Sequence, residues 1–108
     1  MKLQIIEQSL YIKAVKKLSK KYKHINEEVY NFLNSVTTKD DLGIELKSNI
    51  FKARIKNSDK NKGKSGGYRL ITYLKITKKE LHLLYIYDKS QITNLTEKEI
   101  DELILSQL

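Results

Sequence analysis

Two short stretches of the sequence place positive charge where a reacting phosphate group could be held. In "FKARIK", Lys52, Arg54 and Lys56 alternate with apolar residues, which is the two-residue period of a half-buried strand. A later strand-like run, "YRLITYLKI", carries Arg69 on its less apolar face. If the more apolar face meets the helices, all four cations share the open face of a sheet. The pattern predicts an anion site, and the alternative is a solvated strand face with its Lys side chains in water.

The charge of the chain is concentrated around these residues. The formal net charge is +8, and residues 52–69 contain seven basic residues against one acid, Asp59. We therefore expect a polyanionic partner, although Lys-rich surfaces also serve solubility alone. Arg54 and Arg69 are the two arginines among the 21 Lys and Arg residues. Only arginine offers a planar five-donor fork to a phosphate.

The loop "NKGKSGGYRL" superficially resembles a nucleotide-binding loop. A P-loop requires a glycine five residues before the Gly-Lys-Ser triplet, where this chain has Ser58. It must also open a helix, whereas the residues that follow are β-branched and aromatic. We interpret the loop as a basic connector between two strands that carry site residues, or as a plain solvated hairpin loop.

Composition limits the class of protein. The 108 residues suit one domain, 1–108, and 40% of them are hydrophobic. No apolar run approaches the roughly 18 residues that span a bilayer. The opening "MKLQIIEQSL" does not fit a signal peptide, and the chain has no Cys. We expect a cytoplasmic protein without membrane contact.

Hydrophobic periodicity predicts an α+β fold with the order β-α-α-β-β-β-α. The expected architecture is an antiparallel sheet with an N-terminal helical hairpin on one face and a C-terminal helix. Thr96 and Glu99 form the sequence pattern of a capping box at the start of that last helix. The predicted elements are a strand at 2–7, helices at 9–22 and 26–36, strands at 51–56, 68–76 and 81–87, and a helix from 97.

Other residues offer little catalytic chemistry of their own. Tyrosines on the strands could stack RNA bases if they are exposed, but core packing is the commoner role. His24 and His82 are far apart in sequence, and no carboxylates cluster near them. We therefore expect no metal site, and no Ser/His/Asp or Cys/His arrangement is available.

The segment 51–95 resembles the RelE/HigB family of bacterial type II toxins. The resemblance is carried by "FKARIKN", "GKSGGYRLITYLK" and "LLYIYDKSQITNLT", and "GKSGGYR" followed by "YDKS" is typical of the HigB-like branch. It implies a RelE-like fold and a ribosome-dependent mRNA endoribonuclease that needs no cofactor and no metal. In such enzymes the 2′-hydroxyl of the mRNA attacks the adjacent phosphate, which leaves a cyclic phosphate and a 5′-hydroxyl.

The resemblance also implies roles for individual residues. Arg69 matches the phosphate-stabilising arginine, and Lys52 and Arg54 match cationic strand positions. Lys52 is the candidate base, since an ammonium among other cations gives up its proton more readily. Lys89 is the candidate acid, at a position where some members have Arg or His, and Tyr87 is expected to orient the RNA. The residues expected to bind RNA or the ribosome are Lys56, Lys60, Lys62, Lys64, Tyr68 and Tyr73.

The partners implied are the ribosome with its mRNA and a cognate antitoxin, which we expect to be a HigA-like helix-turn-helix protein. Operator DNA would be reached only through that antitoxin. Two alternatives remain open. A ParE-like relative would poison DNA gyrase and cut no RNA, and a decayed, non-catalytic module would bind nucleic acid with steep salt dependence.

Overall fold

The computed structural model describes residues 2–60 and 67–108. The elements in chain order are β1 (Gln4–Glu7), α1 (Ser9–Ser19), α2 (Ile25–Ser35), β2 (Ile44–Lys47), β3 (Ile50–Ile55), β4 (Tyr68–Lys75), β5 (Glu80–Asp88) and α3 (Glu97–Ser106). Short 3-10 turns lie at Lys39–Leu42, Ile76–Lys78 and Lys89–Gln91. The α+β class predicted from the sequence is confirmed.

The helices α1 and α2 form a hairpin because each has one apolar stripe to bury. Tyr11 and Val15 of α1 are buried, as are Ile25 and Val29 of α2. Tyr22, in the connection between the helices, is also buried. The chain leaves α1 at Ser19, three residues before the predicted end, so Tyr22 reaches the core from the turn.

The sheet has the strand order β1-β5-β4-β3-β2. Strands β3, β4 and β5 pair antiparallel as predicted, but β1 pairs parallel with β5, so the sheet is mixed. Strand β2 is an additional edge strand that periodicity did not indicate. It is short and largely solvent-exposed, with Ile44 61% exposed, and such a strand leaves no alternating burial pattern in the sequence.

The two faces of the central strands have different neighbours. One face packs on α1 and α2, and it contributes Phe51, Ile55, Tyr68, Leu70, Leu74, Leu81, Leu83 and Ile86 to the core. On the other face, Lys52 lies opposite Ile71, and Arg54 lies opposite Arg69. The predicted division of β4 into an apolar helix-facing side and a side shared with the β3 cations is thus confirmed.

Helix α3 begins as the sequence predicts. The Thr96 hydroxyl accepts from the Glu99 backbone N–H, and the Glu99 carboxylate accepts from the Thr96 N–H, which is a complete capping box. Only Ile100 and Asp101 of this helix are buried. None of the helices in the described ranges is both long and apolar enough to cross a bilayer.

Gly43 makes a close approach that fixes the position of β3. Its φ is +103° and its ψ is −150°, a region that is essentially restricted to glycine. A Cβ on Gly43 would lie 2.1 Å from the backbone oxygen of Lys52. The segment before β2 can therefore run directly against the strand that carries the candidate site only if this residue is glycine.

We expect Gly43→Ala to lower the free energy of unfolding by about 1–3 kcal/mol or more, because it combines backbone strain with a backbone clash. Urea unfolding measures the change. Ser48→Ala, at an exposed turn position nearby, is the matched control and should stay within about 0.5 kcal/mol of wild type. Equal stability of the two variants would contradict the argument.

Candidate active site

The pairing of β3 with β4 brings the predicted cations together. Arg54 and Arg69 are direct cross-strand partners, and Lys52 is two residues from Arg54 on the same face. Directly opposed side chains have Cβ atoms about 5 Å apart, and like charges there are destabilising. An arginine pair at this position therefore requires anions nearby.

Helix α3 supplies those anions, which the sequence analysis did not anticipate. The Lys52 Nζ lies 2.5 Å from Glu97 Oε2 and 2.7 Å from Asp101 Oδ2. The sheet face that the sequence analysis expected to be open is therefore covered at Lys52 by the acidic residues of α3. Lys52 is only 7% exposed, and its ammonium is held between two carboxylates.

Arg69 is completely buried under the same helix. Its Nε donates to Glu97 Oε1 at 3.3 Å, and its Nη1 donates to the Tyr68 backbone oxygen at 3.3 Å. The Lys89 Nζ lies 3.9 Å from the same Glu97 oxygen. One carboxylate thus bridges three cations.

The charge of Glu97 is stabilised by this arrangement. Burial acts to raise its pKa, but the Lys52 hydrogen bond and the charges of Lys52, Arg69 and Lys89 outweigh burial and lower the pKa below its usual value. Glu97 is therefore an anion at neutral pH. It fills the position between the cations that an external anion would otherwise take.

The candidate base and the candidate RNA-orienting residue are both covered in this conformation. An amine that donates to two carboxylates cannot at the same time accept a proton from a 2′-hydroxyl, so Lys52 is unavailable as a base here. Tyr87 lies opposite Arg69 on β5 and is 3% exposed. Burial, followed by the charges of Asp101 and Glu97, raises the pKa of the Tyr87 phenol, which therefore stays a hydrogen-bond donor.

Among the residues that the structure describes, three of the predicted cations remain accessible from solvent. Arg54 and Lys56 are exposed, and the Lys89 side chain is 42% exposed. Tyr73 is partly buried on the same face of the sheet, and its ring centroid lies 5.8 Å from that of His82. These side chains are the ones that a large ligand would meet first.

Two residues that we predicted to bind RNA belong to the opposite side of the molecule. Tyr68 is fully buried, and its ring packs edge-on against Tyr22 with centroids 5.8 Å apart. It cannot stack a base, because alternation along β4 points it into the hairpin core. Lys60 also faces this side, where its Nζ lies 2.7 Å from Asp88 Oδ2. Lys62 and Lys64 lie outside the described residues.

Asp88 is the centre of a second buried polar cluster. Its side chain is fully buried, and its Oδ2 accepts from the Tyr22 hydroxyl at 2.6 Å as well as from Lys60. Its Oδ1 accepts from the backbone N–H and the hydroxyl of Ser90. Lys60 is thereby bound to the end of β5, so the structure favours an anchoring role for it over an RNA contact.

The sequence contained a signal for the missed carboxylates. Glu97 and Asp101 are four residues apart and lie on the side of α3 that also carries Ile100 and Ile104. Acidic residues within an apolar stripe are seldom buried unless a cation pairs with them. This indicates a salt bridge beneath the helix rather than a solvated acidic face.

Comparison with known families decides the class of protein. The family model described as the RelE toxin of the RelE/RelB toxin-antitoxin system matches residues 8–105. The chain belongs to the RelE toxin family. The RelE-like fold predicted from the sequence is thereby confirmed. The chain is therefore the toxin of a toxin-antitoxin system, whose natural partner is an antitoxin, and RelE toxins are generally ribosome-dependent ribonucleases. No significant match to a curated protein was found.

The HigB-like branch stays a prediction, since the family match does not separate the branches. In residues 2–60 and 67–108, no three His, Asp or Glu side chains are grouped so that they could hold a metal ion.

We expect Asp88→Asn to destabilise this RelE toxin at neutral pH. The loss should exceed about 1 kcal/mol but remain below the roughly 3–5 kcal/mol of a fully buried pair, because Lys60 keeps some exposure. Burial opposes the charged form, yet the hydrogen bonds of Lys60, Tyr22 and Ser90 lower the pKa of Asp88 below 3.8.

A lowered pKa gives this contribution a definite pH dependence. The stabilisation is present above the unfolded value of 3.8 and is lost as the pH falls through the lower folded value. The stability gap between wild type and Asp88→Asn should therefore shrink in acid. Urea unfolding at neutral and acidic pH measures it, with Asp40→Asn, at an exposed position, as control. A gap that stays constant would contradict the assignment.

Proposed function

We propose that this RelE toxin is a metal-independent endoribonuclease that cleaves mRNA in the ribosomal A site through attack of the 2′-hydroxyl. The observation that carries the proposal is the opposed pair Arg54 and Arg69, with Lys52 beside it, on the sheet face away from the helical hairpin. Transphosphorylation develops negative charge on the phosphate oxygens, and fixed cations aimed at that charge lower the barrier. Membership of the RelE family, whose toxins are generally ribosome-dependent ribonucleases, supports the same proposal.

The site contains a candidate for each role in the reaction. Arg54 and Arg69 stabilise the phosphorane charge, and Lys52 activates the 2′-hydroxyl once its carboxylate partners have moved away. Lys89 protonates the leaving oxygen, and it is supported in this role by its partial exposure beside the phosphate-binding cations. Tyr87 offers a phenolic donor opposite Arg69, and Lys56 and Tyr73 extend the surface that meets RNA.

The exposed cations of the same sheet face also support the proposed partners of the toxin. Its exposed cations fit the phosphate backbone of ribosomal RNA and mRNA, where binding releases counterions. We propose that a HigA-like helix-turn-helix antitoxin neutralises the toxin, that operator DNA is contacted only through this antitoxin, and that the toxin acts in the cytoplasm, where ribosomes are found.

Arg54→Ala is the sharpest test of the proposed reaction. Arg54 is exposed, so its removal should leave the fold intact, whereas Arg69→Ala would also remove a buried partner of Glu97. We expect ribosome-dependent cleavage of mRNA to slow by roughly 10²–10³-fold, the usual effect of losing one charge stabiliser. Primer extension in a purified translation system, with and without ribosomes, measures the cuts, and induced expression of each variant in cells measures growth arrest.

Lys16→Ala, an exposed cation on α1 away from the site, is the matched control and should cleave like wild type. Cuts inside codons that need ribosomes and disappear in Arg54→Ala would support the proposal. Growth arrest without RNA cuts would overturn it in favour of a gyrase poison or simple binding. Absence of both arrest and cuts would indicate an inactive family member.

A further inference from the structure

The two most deeply placed cations of the site cannot contact RNA in the conformation described. Arg69 is fully buried, and the Lys52 side chain is only 6% exposed. A phosphate in solution can reach neither side chain in this conformation, and both are paired with carboxylates of α3. Catalysis by these residues therefore requires a change in the position of α3.

Glu97 occupies the cation pocket in the way that a phosphodiester would. Its Oε2 lies 2.5 Å from Lys52 Nζ, and its Oε1 lies 3.3 Å from Arg69 Nε. A phosphodiester likewise offers two anionic oxygens on one centre, so the same cations can bind either group. Asp101 adds a second carboxylate at 2.7 Å from Lys52. The first two turns of α3 therefore place acid directly in the candidate phosphate site.

The apolar attachment of α3 is weak compared with this ionic attachment. Ile100 is its one buried apolar residue, whereas Leu103 is 53% exposed. The helix borders an open groove of about 420 Å³, lined by Leu10, Tyr85, Ile92, Ile100, Leu103 and Ile104. At roughly 25 cal/mol per Å² of buried apolar surface, such partial burial gives α3 only a modest hold on the sheet.

Breaking the ionic attachment without replacing it would be unfavourable. Lys52 would lose both of its carboxylates and Arg69 would lose Glu97, and a buried charge that loses a counter-charge is strongly destabilised. A ligand that brings its own anionic oxygens removes this penalty. Displacement of α3 is therefore coupled to the arrival of a phosphate.

We propose that α3 is an internal competitor of the RNA phosphate, and that Glu97 and Asp101 must leave Lys52 and Arg69 before RNA can occupy the site. The inference rests on the proposed function in its choice of RNA as the ligand. It adds that Glu97 and Asp101 stay paired with Lys52 and Arg69 in the free toxin. An RNA backbone bound to the exposed cations then displaces α3.

The test compares RNA binding by charge-matched variants of the full chain. Glu97→Gln/Asp101→Asn keeps side-chain size and a hydrogen-bond acceptor but removes both competing charges. Asp40→Asn/Glu102→Gln changes the net charge equally at exposed positions. The probe is a fluorescent single-stranded RNA with 2′-O-methyl groups, which cannot be cleaved. We expect the first variant to bind about tenfold tighter than wild type, equivalent to about 1.4 kcal/mol, and the control to bind like wild type.

Hydrogen exchange on the wild-type protein provides a second measurement that does not depend on the variant folding. Addition of the RNA should make the amides of α3 exchange faster, although binding usually protects a protein. Unchanged or slower exchange in α3 with RNA bound would overturn the inference. Equal affinity of the two double variants would do the same, and so would failure of both to bind RNA at low salt.

These results are separable from the proposed function. If mRNA is cleaved in a ribosome-dependent way while hydrogen exchange in α3 is unchanged by RNA, the ribonuclease proposal is supported and the competitor proposal is rejected. If RNA increases hydrogen exchange in α3 but no mRNA is cleaved, the competitor proposal is supported and the ribonuclease proposal is rejected.

Discussion

The burial of positive charge beneath α3 is the constraint on which the site depends. Strand β4 must place Leu70 and Leu74 in the hairpin core, and alternation then forces Arg69 onto the opposite face beside the β3 cations. A guanidinium removed from water needs an anion. Glu97 meets this need for Arg69 and Lys52 together, so the position of the C-terminal helix is determined by the charges of the strands it covers.

Much of this arrangement could be predicted from the sequence, because it follows from the two-residue alternation of strands and from the local pattern of a helix cap. The two-residue alternation around Arg54 and the split between the two faces of β4 were predicted correctly. So was the Thr96 capping box, since its two hydrogen bonds depend only on local spacing.

The contacts that were not predicted join residues that are far apart in the sequence. The pairing of Lys52 with Glu97 spans 45 residues, and nothing local indicates which strand lies under α3. The parallel pairing of β1 with β5 was missed for the same reason.

The tyrosines show how one residue type serves both faces. Tyr68 is fully buried and contributes to the core beside Tyr22. Tyr87 is nearly as buried, but it lies opposite Arg69. Residue type alone predicts neither role, because a tyrosine on a strand is equally suited to packing and to stacking. Only the register of β4 against β5 distinguishes them.

The two buried acidic clusters differ in what they can do, although each pairs a lysine with a carboxylate. Asp88 belongs to β5 and accepts from Tyr22, Lys60 and Ser90, so its release would require the sheet to open. Glu97 belongs to a peripheral helix with a single buried apolar residue, Ile100, so its release requires only that helix to move. Ion pairs of similar length therefore have different consequences. The first anchors Lys60 to the end of β5, and the second is placed where an arriving phosphate can exchange with it.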